Sequence, residues 1–200
     1  MSKVIYIASG NAHKIEDISA MLIEKDFEVK GLKGLSDYEP PEETGQTFIA
    51  NARIKALALR DYLLKKGMSD FYVLADDSGL ECHDIEMKPG VHSARFAGQN
   101  ATDEENNQKL VDVLQTVTHL TRDARYVCAL LWIKPDGSEE EVVGTCEGNI
   151  VFEPKGENGF GYDPYFYLLE LNQTMAEITP EHKNKISHRA KALRALLSVV

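Results

Sequence analysis

Cysteine is scarce in this chain, and positive charge is in deficit. Cys82, Cys128 and Cys146 are the only cysteines in 200 residues. They are odd in number, far apart, and match no metal-ligand spacing, which excludes a disulfide framework and a cysteine-built zinc site. The pattern is that of free thiols in a reducing compartment, so a cytoplasmic protein is expected. No apolar run approaches the roughly 20 residues of a membrane span. The run at residues 4–8 is too short for the apolar core of an export signal. Lys and Arg total 22 against 32 Asp and Glu, a formal net charge of −10. That argues against a general nucleic-acid binder, because neutralising phosphates demands basic surface. A small anionic ligand stays compatible if a metal or a few cations reverse the field locally. Also missing are the Walker spacing and the G-x-G-x-x-G dinucleotide fingerprint. No repeat, low-complexity tract or linker divides the chain, so one domain over residues 1–200 is expected.

What is present reads as α/β. Residues 3–8 form an apolar, central first strand, and a helix follows to about Lys25 with Ile15, Ile18 and Leu22 on one face. Residues 27–31 suit a second strand. Thr47 is a good N-cap for a long helix ending near Gly67, with Ile54, Leu57, Ala58 and Leu64 as its apolar face. Ala50 stands where a capping box would place Glu or Gln. Residues 72–75 fill a buried strand, and residues 80–84 continue extended. Lys88-Pro89-Gly90 reads as a turn. Thr102 and Glu105 form a capping box that opens a helix with Leu110, Val113, Leu114 and Val117 inward. Residues 125–134 and 140–152 make a long hairpin about Pro135-Asp136-Gly137, so the sheet is mixed. Thr179-Pro180 caps a short helix before the C-terminal one.

Three stretches carry candidate chemistry. At Asp76-Asp77-Ser78-Gly79 two acids end an apolar strand, where open α/β sheets bind ligands. Neighbouring strand residues face opposite ways, so both acids meet one ligand only if the strand breaks at Ser78-Gly79. Two solvated aspartates in a surface turn are the plain alternative. Ser9-Gly10-Asn11-Ala12-His13-Lys14, a tight turn into a helix, offers N–H groups and a cation to a phosphate. An ordinary turn with Asn11 as the helix cap explains the same residues. Within residues 156–164, glycines flanking Phe160 free that ring to stack on a flat ligand. A ring folded back into the core is the competing reading.

Six motifs in order resemble the inosine/xanthosine triphosphate pyrophosphatase family. They are S-G-N-x-x-K at Ser9–Lys14, E-T-G-x-T-F at Glu43–Phe48, L-A-D-D-S-G-L at Leu74–Leu80, P-G-V-x-S-A-R at Pro89–Arg95, G-F-G-Y-D-P at Gly159–Pro164 and K-x-x-I-S-H-R at Lys183–Arg189. Ala50 departs from the family's frequent Glu at that place. The resemblance implies an inosine triphosphatase-like fold, with a long central mixed sheet flanked by helices, two lobes and a deep cleft, usually as a homodimer. It also implies hydrolysis of a purine nucleoside triphosphate between the α and β phosphates, with Mg²⁺.

On that footing Glu43 and Asp77 are the expected metal ligands, with Asp76 a candidate third, since Mg²⁺ takes hard oxygens. Asp77 resembles the family's proton acceptor, with Ser78 hydrogen bonding beside it. Ser9, Asn11, Lys14 and Lys55, with the turn residues Gly10, Ala12 and His13, would hold phosphate oxygens. Phe160, with Gly161 and Tyr162 beside it, would stack on the purine. Asp163, Lys183, Ser187, His188 and Arg189 would meet its edge. Donors there suit the six-oxo group of hypoxanthine and xanthine and reject adenine's amino group. A nucleotide sensor that binds without hydrolysis, and a phosphatase taking the terminal phosphate, are the rival readings.

Overall fold

Alternation along three strands divides the core. The computed structural model describes residues 3–23, 25–35 and 37–199, and the chain forms two compact units. The first takes residues up to Asp77, Cys128–Gly144, and Arg189 onward. It holds β1 (Lys3–Ile7), α1 (Ala12–Ile23), β2 (Phe27–Lys30), α2 (Phe48–Lys65) and α5 (His188–Leu197) apart from His188. It also holds the start of β3 (Phe71–Cys82), the end of β5 (Asp123–Ile133) and the start of β6 (Glu139–Ile150). β1 pairs in parallel with both β2 and β3.

On one face Ile5, Ile7, Leu74, Cys128, Leu130 and Trp132 pack against Ile18 and Leu22 of α1 and Ala192, Leu193 and Leu196 of α5. On the other, Tyr6, Ala8, Phe71, Val73, Ala75, Leu131 and Ile133 receive Ala52, Ala56, Leu59 and Leu63 of α2. Odd and even residues thus go to different layers, as a period of two requires. Burial on both faces is why these strands read as unbroken apolar runs. Each fully buried Leu or Ile contributes about 1.5–3 kcal/mol relative to exposure.

α2 begins as its sequence dictates, with Thr47 Oγ1 accepting from Ala50 N at 3.2 Å. Its buried face is nevertheless not the expected one. Phe48, Asn51, Ala52, Ala56, Leu59 and Leu63 point inward, while Leu57 and Leu64 are 38% and 45% exposed. Small alanines let the helix approach the sheet closely, and the larger leucines mark the wrong stripe.

The second unit takes Ser78–Val127 and Thr145–His188. It adds β4 (Lys88–Pro89), α3 (Asp103–Gln115), β7 (Phe166–Leu168), β8 (Gln173–Thr174) and α4 (Pro180–Ile186). Its core gathers Leu80, Cys82, Leu110, Leu114, Tyr126, Cys146, Ile150, Phe166 and Met175 among others. The capping box of α3 forms as expected. Lys88-Pro89 is a cis peptide in β4, antiparallel to β3, where a plain turn was expected. The strand order β2-β1-β3-β5-β6-β7-β8, with β4 also on β3, makes a mixed sheet. All three cysteines are buried free thiols. Among the described residues no helix is long and apolar enough to cross a membrane.

Gly79 is required by a close approach. A Cβ there would lie 2.3 Å from Ser93 Oγ and 2.6 Å from Gly90 O. Ser93 Oγ meanwhile accepts from Leu80 N at 2.9 Å and donates to Gly90 O at 2.6 Å. Gly79→Ala should therefore cost about 2–3 kcal/mol of stability through overpacking. Denaturant unfolding within about 0.5 kcal/mol of wild type would show that the contact is slack.

Candidate active site

The break at Ser78-Gly79 that would turn both acids toward one ligand does not occur. β3 runs without interruption from Phe71 to Cys82, so Asp76 and Asp77 face opposite sides and acquire different partners. Hydrogen bonding along the strand keeps the pleat regular, and each acid is satisfied where it lies.

Asp76 is 1% exposed. Its Oδ1 accepts from Lys14 Nζ at 2.6 Å, and its Oδ2 from Arg189 Nε at 2.9 Å and Cys128 Sγ at 3.2 Å. Arg189, also buried, reaches Asp17 Oδ2 through Nη1 at 2.8 Å. Burial alone would push the Asp76 carboxyl up. Lys14 and Arg189 outweigh it and hold the group well below the usual aspartate range. Burial in turn pushes the Cys128 thiol well up, with Asp76 adding to it, so Cys128 is a neutral donor. Both oxygens of Asp76 thus accept from protein donors, and the carboxylate anchors two cations.

Asp77, 6% exposed, belongs to the α2 face. Lys55 Nζ lies 2.8 Å from Asp77 Oδ1 and 3.2 Å from Glu43 Oε1. Asn51 Nδ2 donates to Asp77 Oδ2 at 3.3 Å. Asn51 and Lys55 are one helical turn apart on α2, so both reach the same carboxylate. Burial raises the Asp77 carboxyl above its ordinary value against the opposing pull of Lys55. For Lys55 burial works downward, but Asp77 and Glu43 prevail and the ammonium is raised. Asp77 is therefore a stronger base than a free aspartate, held beside a firmly protonated lysine.

Sequence reasoning missed Asn51, which is fully buried. Its Oδ1 accepts from Gly45 N at 2.7 Å while its Nδ2 holds Asp77. A Cβ on Gly45 would sit 2.5 Å from that oxygen. The amide therefore ties the Glu43-Thr44-Gly45 loop to β3, which explains the glycine in that motif. The available signal was a polar residue four before Lys55 on the helix's inner face.

The turn at residues 9–14 has ordinary chemistry. Asn11 caps α1 by accepting from Lys14 N at 3.2 Å, and Ser9 Oγ accepts from Asn11 N at 3.1 Å. Gly10, Asn11, Ala12 and His13 are exposed, and Ser9 is buried. The capping and phosphate-cradle readings are compatible, since a capped turn still presents its exposed edge.

In the second unit Asp163 is the organising group. Its Oδ2 accepts from Lys183 Nζ at 2.5 Å and Phe160 N at 2.9 Å, and its Oδ1 from Tyr126 OH at 3.1 Å. Burial, reinforced by Asp163, holds the Tyr126 phenol well above its ordinary value, so it remains a donor. Tyr126 also stacks on His188 with centroids 4.7 Å apart. Lys183 Nζ lies 4.9 Å from the centre of the half-buried Phe160 ring, which stands outside the unit's apolar core. Tyr162, by contrast, is a core side chain whose hydroxyl donates to Ser93 O at 2.8 Å. Gly161 is half-buried, and Ser187 is buried with its N–H on Lys183 O at 2.9 Å. Tyr126 was overlooked because an aromatic in an apolar strand reads only as core.

Fold and sites together define a mixed α/β protein. It carries an acid–lysine cluster at the Glu43 loop and a glycine loop presenting an aromatic ring. The sequence profile of the Ham1 family matches residues 5–199, and the chain belongs to that family. It is 45% identical to the dITP/XTP pyrophosphatase of Geobacillus kaustophilus over 194 residues, covering 97% of this chain and 92% of that protein. It is 43% identical to the protein of the same name from Bacillus anthracis over 196 residues, covering 97% and 94%. The structure of a HAM1 protein from Coxiella burnetii matches with a TM-score of 0.87 at 38% identity, covering 100% of this chain and 98% of that one. The Staphylococcus aureus Ham1 protein matches at 0.83 and 40% identity, covering 98% and 97%.

Asp76→Asn should destabilise the protein by about 3 kcal/mol at neutral pH, because it leaves buried Arg189 and Lys14 undercompensated. Asp76 has a depressed native pKa, so its contribution is full above the ordinary aspartate value of 3.8. As pH falls below that and through the native value, the contribution is lost. Unfolding curves of wild type and variant should therefore converge in acid; a constant gap down to pH 2 would contradict the ion-pair account.

Proposed function

We propose that this chain is a nucleoside-triphosphate pyrophosphatase that hydrolyses deaminated purine nucleotides, namely ITP, dITP and XTP. The products are the nucleoside monophosphate and pyrophosphate, and the role is to cleanse the nucleotide pool. The observation that carries this reading is the meeting of Glu43 and Asp77 on one ammonium nitrogen, at 3.2 and 2.8 Å. Relatives named dITP/XTP pyrophosphatase at 43–45% identity support the substrate class.

Two hard carboxylates around one cation fit Mg²⁺, which binds through one or two carboxylates with substrate phosphates and water. When bound there by Glu43 and Asp77, the ion neutralises charge on the triphosphate.

The chain's own groups do the rest. Asp77 accepts the proton of the attacking water as its oxygen bonds to the α phosphorus. The bridge to the β phosphate breaks, and pyrophosphate leaves with the electron pair. Burial, which raises Asp77, suits it to that role. Lys14 and Lys55 stabilise charge on the leaving pyrophosphate, helped by Ser9, Asn11 and the exposed turn edge. Asp76 and Asp17 keep Lys14 and Arg189 in place.

Purine reading falls to Phe160 as stacking ring and to His188 and Lys183 as donors, supported by Asp163, Tyr126 and Ser187. Arg189 contributes through the start of α5, since its Nε and Nη1 are committed to carboxylates. The same reading expects a cytoplasmic homodimer, which sedimentation would measure.

Asp77→Asn should lower kcat by about two to four powers of ten with folding intact. A substrate panel with Mg²⁺ should release pyrophosphate from ITP and XTP far faster than from ATP. Chelation should abolish that release and Mg²⁺ should restore it. Orthophosphate as the primary product would transfer the protein to the terminal phosphatases, and binding without turnover would make it a sensor.

A further inference from the structure

Two adjacent buried asparagines on α3, Asn106 and Asn107, are 3% and 5% exposed. Neither has a part in the chemistry above, and each holds a different loop. Asn106 accepts from Ala97 N at 2.8 Å and donates to Ala94 O at 3.2 Å. Asn107 Nδ2 donates to Gly161 O at 2.9 Å. One turn earlier, Asp103 Oδ2 accepts from Gly161 N at 2.7 Å. The i, i+4 pair Asp103 and Asn107 therefore grips both polar backbone groups of one glycine.

That glycine follows Phe160. Gly159 and Gly161 both have positive φ, +80° and +62°, so the backbone on either side of the ring lies where only glycine is comfortable. Such a segment is flexible unless something fixes it. Asp163 fixes the near side through Phe160 N, and α3 fixes the far side through Gly161.

Asn107 is also an expensive choice for stability alone. Its Oδ1 is buried with no hydrogen-bond partner among the described residues, and a stranded acceptor is unfavourable. The donor on the same amide accounts for its presence.

We infer that Asp103 and Asn107 are positioning residues for the Phe160 loop, which pre-order the stacking ring and so contribute to affinity for the purine. The inference rests on the base-stacking role proposed above. It assigns α3, a helix outside the recognised motifs, to nucleobase recognition. Pre-ordering lowers the entropy that a bound base must remove, so the effect belongs in binding and leaves the phosphate chemistry alone.

Asn107→Leu tests this, being near-isosteric and removing the donor and the stranded acceptor together. The melting temperature should stay within about 3 °C of wild type. KM for ITP should rise about three- to tenfold with kcat within about twofold, the effect of one lost hydrogen bond. The inhibition constant of inorganic tripolyphosphate, which has no base, should not move. Asp103→Ala should shift KM the same way, while Asn106→Leu, holding the other loop, should leave KM unchanged. The inference is overturned by an unchanged KM in Asn107→Leu, by equal weakening of ITP and tripolyphosphate, or by an equal KM rise in Asn106→Leu. A melting temperature falling in step with the KM rise would make Asn107 purely structural and overturn it as well. A wild-type chain that fails to hydrolyse ITP is a different result, and removes the proposed function itself.

Discussion

An extended strand shows adjacent side chains to opposite faces, and β3 keeps to that rule through Asp76 and Asp77. Had the strand broken, the two acids would have crowded one site and repelled each other. Because it does not, each carboxylate gains its own cations, and their proton affinities diverge. Asp76, between Lys14 and Arg189, is held strongly ionised; Asp77, where burial outweighs the pull of Lys55, is raised. Two identical residues thereby acquire opposite shifts in proton affinity, a difference set by environment and not by residue type.

The charged cluster of the first unit is close to neutral. Glu43, Asp17, Asp76 and Asp77 face Lys14, Lys55 and Arg189. Burying so many charges is tolerable only when each is paired and hydrogen bonded. The near balance keeps the cluster from sharing the chain's overall excess of negative charge, −10, which would repel a polyanion. The global field is unfavourable, but the cations are concentrated at one place, and the acids beside them suit a divalent ion. The second unit follows the same logic on a smaller scale. Asp163 holds Lys183, Tyr126 and the Phe160 amide at once, so a glycine-rich loop acquires a defined shape.

Buried amides do much of the positioning. Asn51 joins the Glu43 loop to Asp77, Asn106 the 94–97 segment to α3, and Asn107 the Phe160 loop to the same helix. An amide donates and accepts without carrying charge, so it can link a backbone group to a loop or a carboxylate without adding a further charge to the buried site.

Local pattern determined much by itself. The apolar strands, the Thr47 and Thr102 caps, the hairpin about Pro135-Asp136-Gly137 and the acid, lysine and glycine motifs all depend on neighbours in sequence. Periodicity and capping therefore expose them. The inner face of α2 was misread because Ala52 and Ala56 are small, and close packing against a sheet favours size over hydrophobicity. The unbroken path of β3, the pairing of Arg189 with Asp76 and Asp17, and the grip of Asn51 and Asn107 join residues between 6 and 172 positions apart. Only folding brings such groups within hydrogen-bonding distance, since hydrogen bonds act over a short range while sequence pattern records only the nearest turns of chain.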